Sequence, residues 1–206
     1  MAKEGIPFVV IPFLLGVVFL MLKIPVISYV FAIILYIFTL YFAFFFRDPP
    51  RKVVAHEHEW VSPVDGTILD VVSDTDSNRL IVFLSIFNVH VTRLPYGGKL
   101  EKMEYFKGEF LPAYREKASE LNERIVLTID SSSFKYSLKL IAGIAARRIR
   151  MWVHQGEQLD TGSKIGIIMF GSRAELSLPK SVSLLVKKGD KVYGGLTLIG
   201  KKKSQE

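Results

Sequence analysis

The chain has 206 residues, half of them hydrophobic, with no cysteine and a formal net charge of +7. That length holds one membrane segment and one modest domain, and the missing thiols exclude disulfides and thiolate metal sites. The basic residues are scattered rather than gathered in one tract, and beside an apolar N-terminus their nearer anionic partner is a lipid headgroup, so nucleic acid is not an expected ligand.

From Ile6 to Phe46 the only charged residue is Lys23, and the stretch is about twice the ~20 apolar residues that one helical span needs. Lys23, Ile24 and Pro25 interrupt it, because a lysine is costly at the bilayer centre and proline breaks a helix. Two transmembrane helices in a tight hairpin are therefore predicted at about 6–22 and 25–46, with residues 1–47 as the anchor. No small-residue cleavage site follows the apolar run, so the anchor reads as retained rather than as a signal peptide. Arg47, Arg51 and Lys52 directly after the second span favour the cytoplasmic face of the cell membrane for the rest of the chain.

After Arg47-Asp48-Pro49-Pro50-Arg51 the pattern changes to short β-branched and aromatic runs punctuated by Gly, Pro, Asp and Asn, which predicts a mainly β domain over residues 48–206. Strands are expected at Gly66 to Val72, Arg79 to Phe83, Leu100 to Phe106, Glu123 to Ile129, Phe134 to Leu140, Gly166 to Met169 and Ala174 to Leu178, with one short helix near Tyr114 to Leu121. Val153-His154-Gln155-Gly156-Glu157-Gln158-Leu159 lies over Val186-Lys187-Lys188-Gly189-Asp190-Lys191-Val192. Each segment is followed by Gly162 or Gly195 and then an apolar strand. Two similar units imply a pseudo-symmetric sheet assembly. These turns, and Ser62-Pro63-Val64-Asp65-Gly66, resemble those of lipoyl- and biotinyl-domain folds, so the expected core is barrel-sandwich-hybrid-like, with few short helices, behind the transmembrane hairpin. That likeness concerns fold and carries no chemistry.

Four places could carry chemistry. Alternation along Phe87-Asn88-Val89-His90-Val91-Thr92-Arg93 puts Asn88, His90 and Thr92 on one face, and an imidazole moves protons near neutral pH. Asp65 in Pro63-Val64-Asp65-Gly66 is first of all turn chemistry, but beside His90 it would orient the imidazole. In Phe170-Gly171-Ser172-Arg173 a flexible glycine lets the serine hydroxyl reach back to the preceding carbonyl. Arg147, Arg148 and Arg150 suit either an anion or a charged strand face. His56, His58 and His154 lack metal-ligand spacing, and no metal is expected.

Taken in order, Phe45-Phe46-Arg47-Asp48-Pro49-Pro50-Arg51, Ser62-Pro63-Val64-Asp65-Gly66, Phe87-Asn88-Val89-His90-Val91, Gly108-Glu109-Phe110-Leu111-Pro112-Ala113, Asn122-Glu123-Arg124, Ala145-Ala146-Arg147-Arg148-Ile149 and Phe170-Gly171-Ser172 resemble the phosphatidylserine decarboxylase family. The likeness is to its short, membrane-anchored form, including archaetidylserine decarboxylases. The resemblance implies self-cleavage between Gly171 and Ser172, with Asp65, His90 and Ser172 as the catalytic group. Ser172 attacks the Gly171 carbonyl to give an ester, and β-elimination leaves a large and a small subunit from one chain. Ser172 then becomes a covalent pyruvoyl group, in place of pyridoxal phosphate, that takes up the electron pair left as carbon dioxide departs. It also implies a phospholipid substrate at the membrane, a zymogen, and His90 as proton donor. Where many members carry Gly-Ser-Thr, this chain has Gly171-Ser172-Arg173, and Arg173 is a candidate for the substrate carboxylate or phosphate. The sequence leaves open ester or archaeal ether lipid, and whether the chain forms a homo-oligomer. A non-catalytic barrel-sandwich carrier or adaptor would account for repeat and anchor but not for Asn88-Val89-His90 or Gly171-Ser172. A serine hydrolase would lack its nucleophile elbow.

Overall fold

The computed structural model describes residues 1–22, 24, 26–53, 55–56, 58–109, 118–143, 148–169 and 172–202. Lys23, Pro25, the first half of the expected Tyr114 to Leu121 helix, Arg147 and Gly171 lie outside the described residues. The chain divides into two compact units, Met1–Pro50 and Arg51–Glu206.

In the first unit a 3-10 turn at Lys3–Gly5 leads into α1 (Ile6–Met21), and α2 (Ile27–Phe45) returns beside it. Ring pairs Phe8–Phe42 at 5.5 Å, Phe13–Tyr36 at 5.8 Å and Phe19–Phe31 at 5.1 Å fix an antiparallel hairpin. Gly16 permits the close approach, since a Cβ there would stand 2.8 Å from the Tyr36 ring. Ile11, Leu14, Ile33, Ile37 and Leu40 face outward. Both helices are long and apolar enough to cross a bilayer, and helices that expose this much aliphatic surface are suited to lipid as solvent.

The second unit is mainly β, as expected. Its strands are β1 (Glu59–Val61), β2 (Gly66–Ser73), β3 (Ser77–Leu84), β4 (Val91–Arg93), β5 (Gly98–Phe106), β6 (Arg124–Asp130), β7 (Lys135–Ala142), β8 (Ile149–Met151), β9 (Gln158–Leu159), β10 (Lys164–Ile168), β11 (Ser172–Pro179), β12 (Val182–Leu184), β13 (Lys191–Val192) and β14 (Leu198–Lys202). One turn of helix, α3 (Ala118–Leu121), is the described part of the expected helix. Three open sheets result: β13-β2-β3-β11-β7-β6-β5-β9, β1-β14-β12 and β4-β10-β8. Trp60, Leu80, Leu127, Leu138, Ile168, Leu176 and Ile199 belong to one continuous core drawn from all three.

The repeat seen in the turns extends through the whole unit. Strands β1, β2, β3, β11, β12, β13 and β14 correspond one by one to β4, β5, β6, β7, β8, β9 and β10, and the strand order of the large sheet reads as this duplication from either edge. Gly66 pairs with Val192 as Gly98 pairs with Leu159. Bulges fall between Ile68 and Asp70 and, correspondingly, between Leu100 and Lys102. The N–H of Gly189 donates to Ile68 at 2.9 Å as that of Gly156 does to Leu100 at 2.7 Å. Asp190 and Glu157 cap their turns through Lys187 N and His154 N, both at 2.9 Å. Gly189 at φ +91° and Gly156 at φ +92° supply the left-handed turn residue. On the pseudo-twofold axis Leu176 faces Leu138, each the counterpart of the other.

One copy is contiguous, β4 to β10, and is inserted into the other, which is interrupted between β3 and β11. The chain therefore crosses between copies twice, after β3 at 85–90 and again between β10 and β11. Both crossings meet at one end of the large sheet, because Ser172 pairs with Leu84 and Ile168 N donates to the His90 carbonyl at 3.2 Å.

Candidate active site

Ser172 opens β11, one of the two central strands of the large sheet, with Leu84 on one side and Ala142 on the other. It is fully buried, and among the described residues its hydroxyl has no hydrogen-bond partner. A buried hydroxyl without a partner costs about 1–3 kcal/mol, so its presence here needs a reason beyond packing. Asn122, also buried, fixes the strand end opposite by donating to the Ala142 carbonyl at 2.7 Å.

His90, fully buried, ends the first crossing. Asn88 wraps that crossing into a tight turn: its Oδ1 accepts from the N–H and hydroxyl of Ser85, both at 2.8 Å, and its own N–H donates to the Ser85 carbonyl at 3.0 Å. The Nδ1 of His90 lies 2.9 Å from the Asn88 carbonyl. A carbonyl only accepts, so Nδ1 carries the proton and Nε2 keeps the lone pair that a general base needs.

Asp65 is held by a guanidinium and a backbone amide. Its Oδ1 accepts from Arg51 Nη1 at 2.5 Å and from Gly194 N at 2.8 Å, and its Oδ2 from Arg51 Nη2 at 2.8 Å. Arg51 Nη1 also donates to the Gly194 carbonyl at 2.6 Å. The carboxylate is engaged by a bidentate guanidinium, and the Asn88 carbonyl serves the ring nitrogen for which the sequence reading used Asp65. Asp65 reaches the site through the backbone: the neighbouring Pro63 carbonyl accepts from Arg93 N at 2.8 Å, just beyond His90.

Arg173 follows Ser172 on the opposite face of β11. Alternation along β11 directs Ala174, Leu176 and Leu178 into the core with Ser172, while Arg173 and Glu175 share the other face. There Arg173 Nη2 lies 2.9 Å from Glu175 Oε1, and Lys139 holds Oε2 at 3.2 Å. Arg148 and Arg150 are exposed and line a surface hollow with Tyr105 and Glu123. Thr92 was noted in the sequence only as sharing a face with His90; its hydroxyl is buried and, among the described residues, has no partner.

A duplicated β unit with a buried serine and histidine at the crossing of its copies, preceded by two membrane-compatible helices, defines the class. The family model described as phosphatidylserine decarboxylase matches residues 38–200. The phosphatidylserine decarboxylase proenzyme of Carboxydothermus hydrogenoformans is 41% identical over 177 residues, covering 82% of this chain and 83% of that protein. The putative archaetidylserine decarboxylase proenzyme of Methanococcoides burtonii is 38% identical over 208 residues, 99% of this chain and 97% of that one. The phosphatidylserine decarboxylase proenzyme of Ehrlichia canis is 41% identical over 206 residues, with 96% and 89% covered. The chain belongs to the phosphatidylserine decarboxylase family and is a decarboxylase, a lyase.

Proposed function

We propose that this chain is a proenzyme that cuts itself between Gly171 and Ser172 and then decarboxylates phosphatidylserine or archaetidylserine to the ethanolamine lipid. The observation that carries the reading is the buried Ser172 hydroxyl, without a hydrogen-bond partner among the described residues, at the start of a central strand. His90 Nε2 takes the Ser172 proton and Ser172 Oγ attacks the Gly171 carbonyl; the C–N bond breaks as the proton passes to the Ser172 nitrogen, leaving an ester. Subsequent elimination frees the new N-terminus. The two pieces stay joined, because β11 in the small subunit lies between β3 and β7 of the large one.

Ser172 fits as the source of a pyruvoyl group, since no described interaction would be lost on converting its hydroxyl. Such a group supplies the electron sink that loss of a carboxylate requires. His90 then moves a proton at the carbon that loses carbon dioxide, and the surrounding core residues exclude water. Asp65 acts as a positioning residue, holding the turn to which the His90 strand is tied. Residues 1–47 anchor the catalytic domain, 48–206, at the cytoplasmic face, where Arg47, Arg51 and Lys52 follow the second helix.

The test is release of labelled carbon dioxide from carboxyl-labelled phosphatidylserine in nanodiscs, and from its ether-linked archaeal analogue. The parent chain is expected to release it, and Ser172→Ala and His90→Ala are expected to lose it by at least about 100-fold. Equal release by parent and Ser172→Ala would overturn the reading.

A further inference from the structure

We propose that Thr92 is a third group of the site, a hydroxyl that faces Ser172 and steadies the oxyanion formed during self-cleavage; this rests on the serinolysis reading above.

The internal duplication carries the placement. Thr92 pairs with Gly166 as its counterpart Trp60 pairs with Gly200. The carbonyls just before these strands are matched too, His90 accepting from Ile168 and His58 from Lys202 at 3.0 Å. On the large sheet β11 corresponds to β7, and Arg173, which pairs with Phe83, matches Lys135, which pairs with Asp130 in the other copy, as Leu176 matches Leu138. Ser172 is thereby the counterpart of Phe134, and Ala174 of Tyr136; Val64 is likewise that of Tyr96.

At the far pole these four counterparts form an aromatic plug. The Trp60 ring lies 5.5 Å from Phe134, 4.7 Å from Tyr136 and 4.8 Å from Tyr96, centroid to centroid. At the site end the same positions hold Thr92, Ser172, Ala174 and Val64, all buried. One pole is filled by rings; the other replaces them with two hydroxyls and two small apolar groups. Thr92 and Ser172 both keep hydroxyls without a partner among the described residues, an arrangement that packing alone disfavours.

In the cleavage step the bond from Ser172 Oγ to the Gly171 carbonyl carbon forms while His90 Nε2 takes the hydroxyl proton. The carbonyl oxygen gains the negative charge, and the Thr92 hydroxyl donates to it. The C–N bond then breaks, its nitrogen receives the proton from His90, and the carbonyl re-forms as the ester. No co-reactant is needed.

The experiment is a pulse–chase of the full chain synthesised into nanodiscs, following conversion of precursor to fragments for the parent, Thr92→Val, Thr92→Ala, Thr92→Ser and Ser172→Ala. Loss of one oxyanion donor costs on the order of 10²-fold. Thr92→Val and Thr92→Ala are expected to slow cleavage by about 100-fold with unchanged melting temperature and unchanged pH midpoint. Thr92→Ser is expected to stay within a few-fold of the parent. Cleavage of Thr92→Val at the parental rate, or equal slowing by Thr92→Ser, overturns the role of Thr92. A parent chain that stays intact, or a Ser172→Ala chain that is cut, instead overturns the serinolysis reading.

Discussion

Asp65→Asn isolates the buried pair from the catalytic residues. The change keeps the side-chain size but leaves the Arg51 guanidinium, 8% exposed, without its countercharge and weakens contacts at 2.5 and 2.8 Å. Removing one partner of a buried pair costs about 3–5 kcal/mol. For a domain of this size each kcal/mol lowers the melting temperature by about 2–4 °C, so a fall of about 6–20 °C is expected in near-ultraviolet circular dichroism melts. Asp65→Asn combined with Arg51→Met removes the stranded charge and is expected to regain at least half of that loss. If Asp65 only positions, self-cleavage returns in the double variant to within about tenfold of the parent. A fall below about 3 °C, or a double variant as unstable as the summed singles, refutes the buried-pair account. A restored fold with cleavage still absent gives Asp65 a direct role at His90.

Three further outcomes are expected. Burial pushes the Tyr136 phenol well above its ordinary 10.0, and its hydroxyl donates to the Tyr96 carbonyl. Its contribution is therefore full below about pH 10 and is lost as pH rises toward the folded value, at up to about 1.4 kcal/mol per pH unit. Tyr136→Phe should flatten that part of the alkaline slope in urea titrations, and an unchanged slope would contradict it. Leu138→Ala and Leu176→Ala, both fully buried on the pseudo-axis, should each cost about 2–5 kcal/mol and combine non-additively. A Cβ at Gly66 would overlap the Phe83 carbonyl oxygen, whereas one at Gly189 meets open space and costs only the left-handed backbone, about 1–2 kcal/mol. Gly66→Ala should therefore lower the melting temperature more than Gly189→Ala, and the reverse order would contradict the packing.

The helical hairpin was legible because an apolar run with one charge has few other uses. Seven long strands were legible from β-branched alternation, each to within a few residues. Strands β1, β9, β12 and β13 are only two or three residues long, too short for a period to register. The turn repeat was visible because Gly156 and Gly189 need the same left-handed backbone. Its extension to strands was not, because Trp60 and Thr92, or Phe134 and Ser172, share a place and no chemistry. Ser172 and His90 could be singled out as candidates from sequence, whereas their burial depends on pairings distant in sequence. The partners of Asp65 were missed because Arg51 sits in a segment that reads as a boundary, and Gly194, in the same copy, is separated from it in sequence by the whole inserted copy.

The most direct test of the central claim is intact-mass spectrometry of the purified full chain beside Ser172→Ala. Two fragments divided between Gly171 and Ser172, the smaller with a blocked N-terminus bearing the pyruvoyl mass and absent from the variant, are the expected result. A single uncleaved chain from a preparation that releases carbon dioxide from phosphatidylserine would contradict it.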